Sequence, residues 1–187
     1  LQPSNPGEKQ VDENAIGTII ERVKSGHKQS YEAVIVQYER KLYTYCFYVS
    51  NRHEEAQAAV QEIFIQAYNN LRQHSRGESF SIWLYKAAYR YWLNRKNKRH
   101  LRMPHESRTS GQESKIIDLL ARLNEEERHL LLLKSVEPFS FADIGAIMGL
   151  SAPAVQRKYM RLTHDLMTCL HDKGEMEHGE YAEIRVH

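Results

Sequence analysis

Tyr85, Tyr89, Trp92, Lys96 and Arg99 recur at intervals of four, three, four and three residues, which places them along one side of a helix. Rings followed by cations along one side suit single-stranded nucleic acid. Bases stack on aromatic faces, worth about 1–3 kcal/mol each, while the cations follow the phosphates. The alternative for such a stripe is packing beneath a neighbouring helix. A second group follows Ser151: Ala152, Pro153, Ala154, Gln156, Arg157, Lys158 and Arg161. Arg and Gln are the side chains able to make paired hydrogen bonds with guanine and adenine edges in a duplex groove. Catalysis has no comparable footing. The chain has no Gly-rich phosphate loop, nucleophile elbow or paired-carboxylate arrangement, so no catalytic residue and no cofactor is expected. His164, Cys169, His171 and His178 are the nearest metal-like grouping, but their spacing lacks the order of a zinc set, and no metal is expected.

The charge pattern agrees with a phosphate partner. The 187 residues carry a net charge of only +2, yet Lys86 to Arg102 holds seven cations and no Asp or Glu, while Asp172 to His187 balances at −3. A basic middle without interleaved acids leans toward nucleic acid rather than a solvated helix face. Composition is that of a chain with a buried core, 41% hydrophobic and 27% charged. The longest aliphatic run, Leu130 to Leu133, is far too short to span a bilayer, and no secretory stretch follows a basic start. Two cysteines make no disulfide framework and fit a reducing cytoplasm, where the chain is expected, with no membrane insertion. Cys46, on an apolar helix, reads as a small core residue.

The elements that must position these groups are all helical. Ile16, Ile19, Ile20 and Val23 mark a first helix that stops near Ser25 and Gly26. A second starts from a Ser30 cap and carries Tyr31, Ile35, Tyr38, Leu42, Tyr45 and Val49. A third, over about 54–73, puts Ala56, Val60, Ile63, Ala67 and Leu71 on one face. A fourth, over about 79–99, has Phe80, Leu84, Ala87, Ala88 and Tyr91 as its core side, well over a quarter turn from the aromatic and basic stripe. Residues 100–113 contain Pro104, Gly111 and several Ser and Thr without apolar periodicity, and read as a flexible linker that reaches at most about 50 Å. Beyond it, Ser114 caps a helix to Leu123, and Asn124 with Glu127 forms a capping box for a helix to Val136. Ser140 with Asp143 forms another for Phe141 to Met148, and Ser151 opens a long helix to about His171. Gly145 where two helices cross, Gly149 at the turn, and Ile144, Met148, Leu150 and Val155 at the crossing make a helix-turn-helix, whose second helix lies in a major groove. The expectation is an all-α chain of two small helical domains joined by a flexible linker. It divides into a disordered lead-in (1–11), an N-terminal domain (12–99), the linker (100–113), a helix-turn-helix domain (114–171) and an acidic tail (172–187).

Three stretches, in this order and spacing, resemble the extracytoplasmic-function sigma factors of bacterial RNA polymerase. Residues 55–68 (EAQAAVQEIFIQAY) resemble the family's polymerase-binding helix. Phe80 through Arg99, with Trp83-Leu84-Tyr85, resembles its promoter-melting helix, and Leu119 through Leu170 its −35-reading domain. The resemblance implies an alternative sigma factor that binds core RNA polymerase through Gln57, Ala58, Gln61, Glu62 and Ile65. It implies −10 recognition and melting by His74, Ser75, Arg76, Ser79, Tyr85, Tyr89, Arg90, Trp92, Lys96 and Arg99, with an extruded base held partly by the loop before the fourth helix. It also implies −35 duplex recognition by Ser151, Ala152, Pro153, Ala154, Gln156, Arg157, Lys158 and Arg161, and sequestration by an anti-sigma factor. Gln57 and Ala58 stand where the family usually has an acidic pair, so polymerase binding is expected either to be weaker or to rest more on Gln61 and Glu62. The alternative is a helix-turn-helix regulator that binds duplex DNA without acting as a polymerase subunit. In that case 12–99 serves dimerisation or effector binding and the aromatic stripe is buried.

Overall fold

The structure is a computed structural model that describes residues 13–75, 77–96 and 112–172, with side chains throughout except at 96, 112–115 and 169–172. Among the described residues it contains eight α-helices and no strand: α1 (Glu13–Lys24), α2 (Tyr31–Ser50), α3 (His53–Asn69), α4 (Phe80–Lys96), α5 (Gln112–Arg122), α6 (Glu125–Val136), α7 (Phe141–Met148) and α8 (Ala152–Asp172).

The first module is α1–α4, with α2 and α3 packed most extensively and α4 lying against α3. The periodic residues of α2 and α3 are where the spacing puts them. Tyr38, Leu42, Tyr45, Ala56, Ile63 and Ala67 are fully or almost fully buried, each large side chain contributing about 1.5–3 kcal/mol of burial. The Tyr31 hydroxyl donates to the Phe64 carbonyl at 3.0 Å, tying the start of α2 to α3. Asn51 ends α2 in the left-handed conformation, φ 54°, which Asn tolerates better than most residues.

Three boundaries differ from the sequence reading. Ser30 makes no side-chain cap, because a 3₁₀ turn over Lys28–Ser30 already leads the backbone into α2 with helical dihedrals. The third helix ends at Asn69, and Leu71–Gln73 forms a separate 3₁₀ turn that sinks Leu71 into the core. The fifth begins at Gln112, so Ser114 lies inside it rather than capping it, and the helix starts within the expected linker.

The second module follows its local signals closely. Both capping boxes form, Asn124 with Glu127 and Ser140 with Asp143. Arg128 donates to the Leu120 and Leu123 carbonyls, satisfying the open end of α5. Gly149 turns the chain at φ 74°. Gly145 is required by the crossing, since a Cβ there would lie 2.5 Å from the Leu150 carbonyl oxygen. Ile144, Val155 and Leu162 close the module's own core.

The two modules dock. α2 lies against α6, and α4 against α7. The fourth helix therefore has neighbours on two sides, and this decides how the groups it carries are presented.

Candidate nucleic-acid and polymerase interface

Three surfaces carry the residues singled out in the sequence, and the fold treats them differently. On α3, the buried arc faces α2 and α4, which turns Gln57, Ala58, Gln61, Glu62 and Ile65 outward, all exposed. Ile65 keeps 54% of its surface accessible, an unusual amount for a large aliphatic side chain. Gln66 donates to a Glu62 carboxylate oxygen at 3.0 Å, holding it along the helix face. A shallow apolar groove of about 360 Å³ continues from Ile65 past Phe64, Tyr68, Tyr31 and Ile35.

On α8, the helix-turn-helix crossing buries Val155 and leaves Ser151, Pro153, Gln156, Arg157, Lys158 and Arg161 exposed, with Ala152 and Ala154 partly so. A cavity of about 480 Å³ between α6 and α8 is lined by Arg157, Lys158 and Arg161 and by the acids Glu126 and Glu127. Lys158 is ion-paired with Glu126 at 3.1 Å. Both members are exposed, so the pair is weak and is readily exchanged for another anion.

On α4 the expectation needs correction. The stripe was expected to point away from the interior, but Tyr85 is fully buried and Trp92 is 5% exposed. The reason is that the buried arc of α4 is wider than the periodicity of one core suggests. Phe80, Leu84 and Ala88 fill the first module's core, while Tyr85 sits edge-on between Tyr45 of α2 and Phe139, which follows α6. A helix packed on two sides buries more of its circumference than a single core face predicts. Burial raises the Tyr85 hydroxyl far above its ordinary pKa. Trp92 lies against Cys46, whose thiol burial pushes up to about 12, with the indole N–H partly offsetting the rise. Tyr89 is half-buried, its ring 5.0 Å from that of His129 on α6. Arg90 is exposed. The side chain of Lys96 and the whole of Arg99 lie outside the described residues.

The loop before α4 brings its residues toward α1. His74 is buried, its ring edge-on to Phe80 and Trp83. Desolvation and the nearby Lys24 ammonium hold its imidazole below its ordinary pKa, and Lys24 donates to the His74 carbonyl at 2.8 Å. Ser79 and Ser81 both donate to one carboxylate oxygen of Glu13 at 3.0 Å. Ser75 is exposed, and Arg76 lies outside the described residues. Between α1 and this loop is a cavity of about 710 Å³ lined in part by Glu13, Gly17, Glu21, His74, Glu78 and Ser79. Sequence reading missed Glu13, because nothing local signals a contact 66 residues away.

Of the described histidines, His74 and His129 are buried. Among the described residues no group of His, Cys, Asp and Glu is arranged to hold a metal ion. No helix among them is long and apolar enough to cross a membrane.

Comparison with known proteins divides the chain as the structure does. The Sigma-70 region 2 family matches residues 34–102 and the Sigma-70 region 4 family residues 113–162. The ECF RNA polymerase sigma factor SigW of Bacillus subtilis is 24% identical over 178 residues, covering 82% of this chain and 95% of its own length. The ECF RNA polymerase sigma-E factor of Haemophilus influenzae is 26% identical over 169 residues, covering 76% and 88%. Among solved structures, CnrH in complex with the cytosolic domain of CnrY shares the fold with a TM-score of 0.70 at 17% identity, covering 83% of this chain and 97% of that one. The sigma factor RpoE of Bartonella quintana, in complex with the anti-sigma factor NepR, gives 0.67 at 17% identity, covering 76% and 98%.

Proposed function

We propose a division of labour among three surfaces of this chain, which belongs to the extracytoplasmic-function family of RNA polymerase sigma factors and is an alternative sigma factor that directs promoter-specific initiation by the core enzyme. The exposed side of α3, with Gln57, Ala58, Gln61, Glu62 and Ile65, binds core polymerase. Ile65 supplies apolar contact, and Gln61 and Glu62 the polar contacts that an acidic pair at positions 57 and 58 would otherwise share. The exposed side of α8 reads the −35 duplex, with Gln156, Arg157 and Arg161 reaching base edges or phosphates and Lys158 leaving Glu126 for a phosphate.

The −10 element falls to the outer side of α4 and the loop before it. Tyr89 and Arg90 meet the separated strand there, with Lys96 and Arg99 continuing the basic path. Ser79 borders the cavity between α1 and the loop, which takes an extruded base, and Ser75 and Arg76 of the same loop take part in its recognition. His74 forms the wall of that cavity rather than a solvent-facing contact. Tyr85 and Trp92 fix the height of α4 on α2, and Tyr85 gains an accessible edge only if Phe139 moves away. Base extrusion costs a few kcal/mol, which binding to polymerase and to the −35 element offsets. Nucleotide chemistry belongs to the polymerase, so this chain acts as a regulatory subunit in the cytoplasm and needs no catalytic group of its own.

The observation that carries this reading is the simultaneous exposure of the whole α3 set and the α8 set on two separate modules. The two solved structures named above are complexes, one with the cytosolic domain of CnrY and one with an anti-sigma factor, and the apolar groove beside Ile65 offers a comparable partner a seat on this chain. Run-off transcription with purified core polymerase tests the reading: adding the chain should give new promoter-specific products. A regulator that binds duplex DNA without polymerase would shift the duplex equally well in the absence of core and yield no new product.

A further inference from the structure

Three cations of α8, Arg157, Lys158 and Arg161, line the cavity between α6 and α8. Lys158 Nζ lies 3.1 Å from Glu126 Oε1, whereas Arg157 and Arg161 have no acidic partner among the described residues. The three acids in the first turn of α6 are differently engaged. Glu127 closes the capping box with Asn124, and Glu125 lies in the field of the Arg128 guanidinium. Glu126 takes no part in the cap, and Lys158 is its one ion-pair partner among the described residues. A first-turn carboxylate favours the helix dipole, but Glu125 and Glu127 already supply that. What Glu126 adds is a negative charge where a helix N-terminus beside two unmatched arginines would otherwise draw in a phosphate.

We infer that Glu126 is a positioning residue that sharpens −35 discrimination through Lys158, keeping the lysine off the phosphates of a loosely held duplex and yielding it only when α8 is seated. The inference rests on the assignment of α8 to the −35 duplex. Binding to random sequence is ionic, its affinity set by how many phosphates are neutralised. The two side chains of the pair are 47% and 43% exposed, and an exposed ion pair is worth little. Glu126 and a passing phosphate therefore compete for Lys158 on nearly equal terms. A duplex held only by its backbone slides, presents no fixed phosphate to the lysine, and leaves it on Glu126. When Gln156 and Arg157 engage base edges, α8 lies deep in the groove and one phosphate is held beside Lys158, so the exchange becomes favourable. The carboxylate thus subtracts one ionic contact from random sequence and almost none from the matched site. Specificity is a difference between two affinities, and here it is widened by weakening the wrong one.

The test titrates the full chain, over a range of salt concentrations, against two fluorescein-labelled duplexes. One has random sequence, and the other is enriched from a random-sequence pool by the chain reconstituted with core polymerase. Glu126→Gln leaves the Asn124–Glu127 capping box untouched. It should tighten random-duplex binding about fivefold at about 0.15 M salt and steepen its salt slope by about one, the signature of one added phosphate contact. Binding to the enriched duplex should change less than about twofold with an unchanged slope, because Lys158 already meets a phosphate there. Lys158→Ala approaches the same pair from the other side. It should weaken the enriched duplex about fivefold and the random one less than about twofold, and adding Glu126→Gln to it should change neither. The inference is overturned if Glu126→Gln tightens both duplexes equally, if the random-duplex slope stays where it was, or if the gain persists without Lys158. Arg157→Ala separates that failure from failure of the underlying assignment. If it weakens the enriched duplex while Glu126→Gln has none of the stated effects, the assignment of α8 stands and the role of Glu126 falls. If it changes binding to neither duplex, the assignment falls and the role of Glu126 with it.

Discussion

The hydroxyl of Tyr45 and Nδ1 of His129 lie 2.7 Å apart although 84 residues separate them in the chain. Both residues are buried, Tyr45 completely and His129 to within 1%, so the bond forms where water offers no substitute. Around it Tyr85 and Tyr89 stack their edges on Tyr45 and His129. Two of the aromatic residues in this contact, Tyr85 and Tyr89, belong by spacing alone to a strand-binding stripe.

Removing the hydroxyl tests the weight of that contact. Tyr45→Phe keeps the ring packed on Tyr85 but removes one member of the buried hydrogen bond to His129 Nδ1, a loss of about 1–3 kcal/mol. Denaturant melts should show a lower midpoint with an unchanged denaturant slope, since the surface exposed on unfolding stays the same.

Gly145→Ala should disable the helix-turn-helix selectively. The added Cβ would sit 2.5 Å from the Leu150 carbonyl oxygen, a backbone atom that cannot swing aside. Pushing α7 and α8 apart costs about 1–3 kcal/mol and moves Gln156 and Arg157 relative to the groove. Duplex binding should fall at least tenfold while pull-down of core polymerase is retained.

Arg157→Ala and the pair Gln61→Ala with Glu62→Ala should give opposite outcomes. Arg157 is exposed on α8, so its loss should weaken −35 duplex binding by about 1–3 kcal/mol for a base contact, or lower the salt slope by about one for a phosphate contact. Core affinity should be nearly unchanged. The α3 pair should lower core affinity and leave duplex binding alone. Titrations of each variant against core and against duplex decide between these outcomes, and a collapse of core affinity in Arg157→Ala would contradict the division of labour.

The ionisable groups in the core set limits at both ends of the pH scale. Tyr45 and Tyr85 are held protonated far above their ordinary value of 10, and Cys46 up to about 12, by burial. A raised pKa in the folded state contributes stability that is intact below the unfolded value and is lost as pH rises toward the folded one. Stability should therefore decline above about pH 9, where an unfolded thiol ionises, and more steeply above 10, and Cys46 should resist thiol reagents until the chain unfolds. His74 works in the other direction. Its lowered pKa contributes stability present above the ordinary value of 6.5 and lost as pH falls through its folded value, and His74→Gln should flatten the acid limb of a stability–pH profile.

Much of this molecule was legible in its sequence because the signals were local. The capping boxes at Asn124 and Ser140 need only a residue three positions on. The left-handed turn at Gly149 needs only a glycine, and the core arcs of α2 and α3 need only apolar spacing. The exposed sets on α3 and α8 follow as the complement of those arcs. Ser30 and Ser114 show where local reading falls short: each has the right residue type for a cap, but the preceding chain was already turning helically.

Tertiary structure alone decided the rest. Helix periodicity reports which residues share a side but not how many neighbours that side will meet, so α4, wedged between α3 and the second module, buries Tyr85 and Trp92 although they lie off its main core face. Tyr45 with His129, Lys41 with Glu137, and Glu13 with Ser79 each join residues at least 66 positions apart. Partners so remote leave no mark on the periodicity of either segment, because they are selected by how two finished modules fit together.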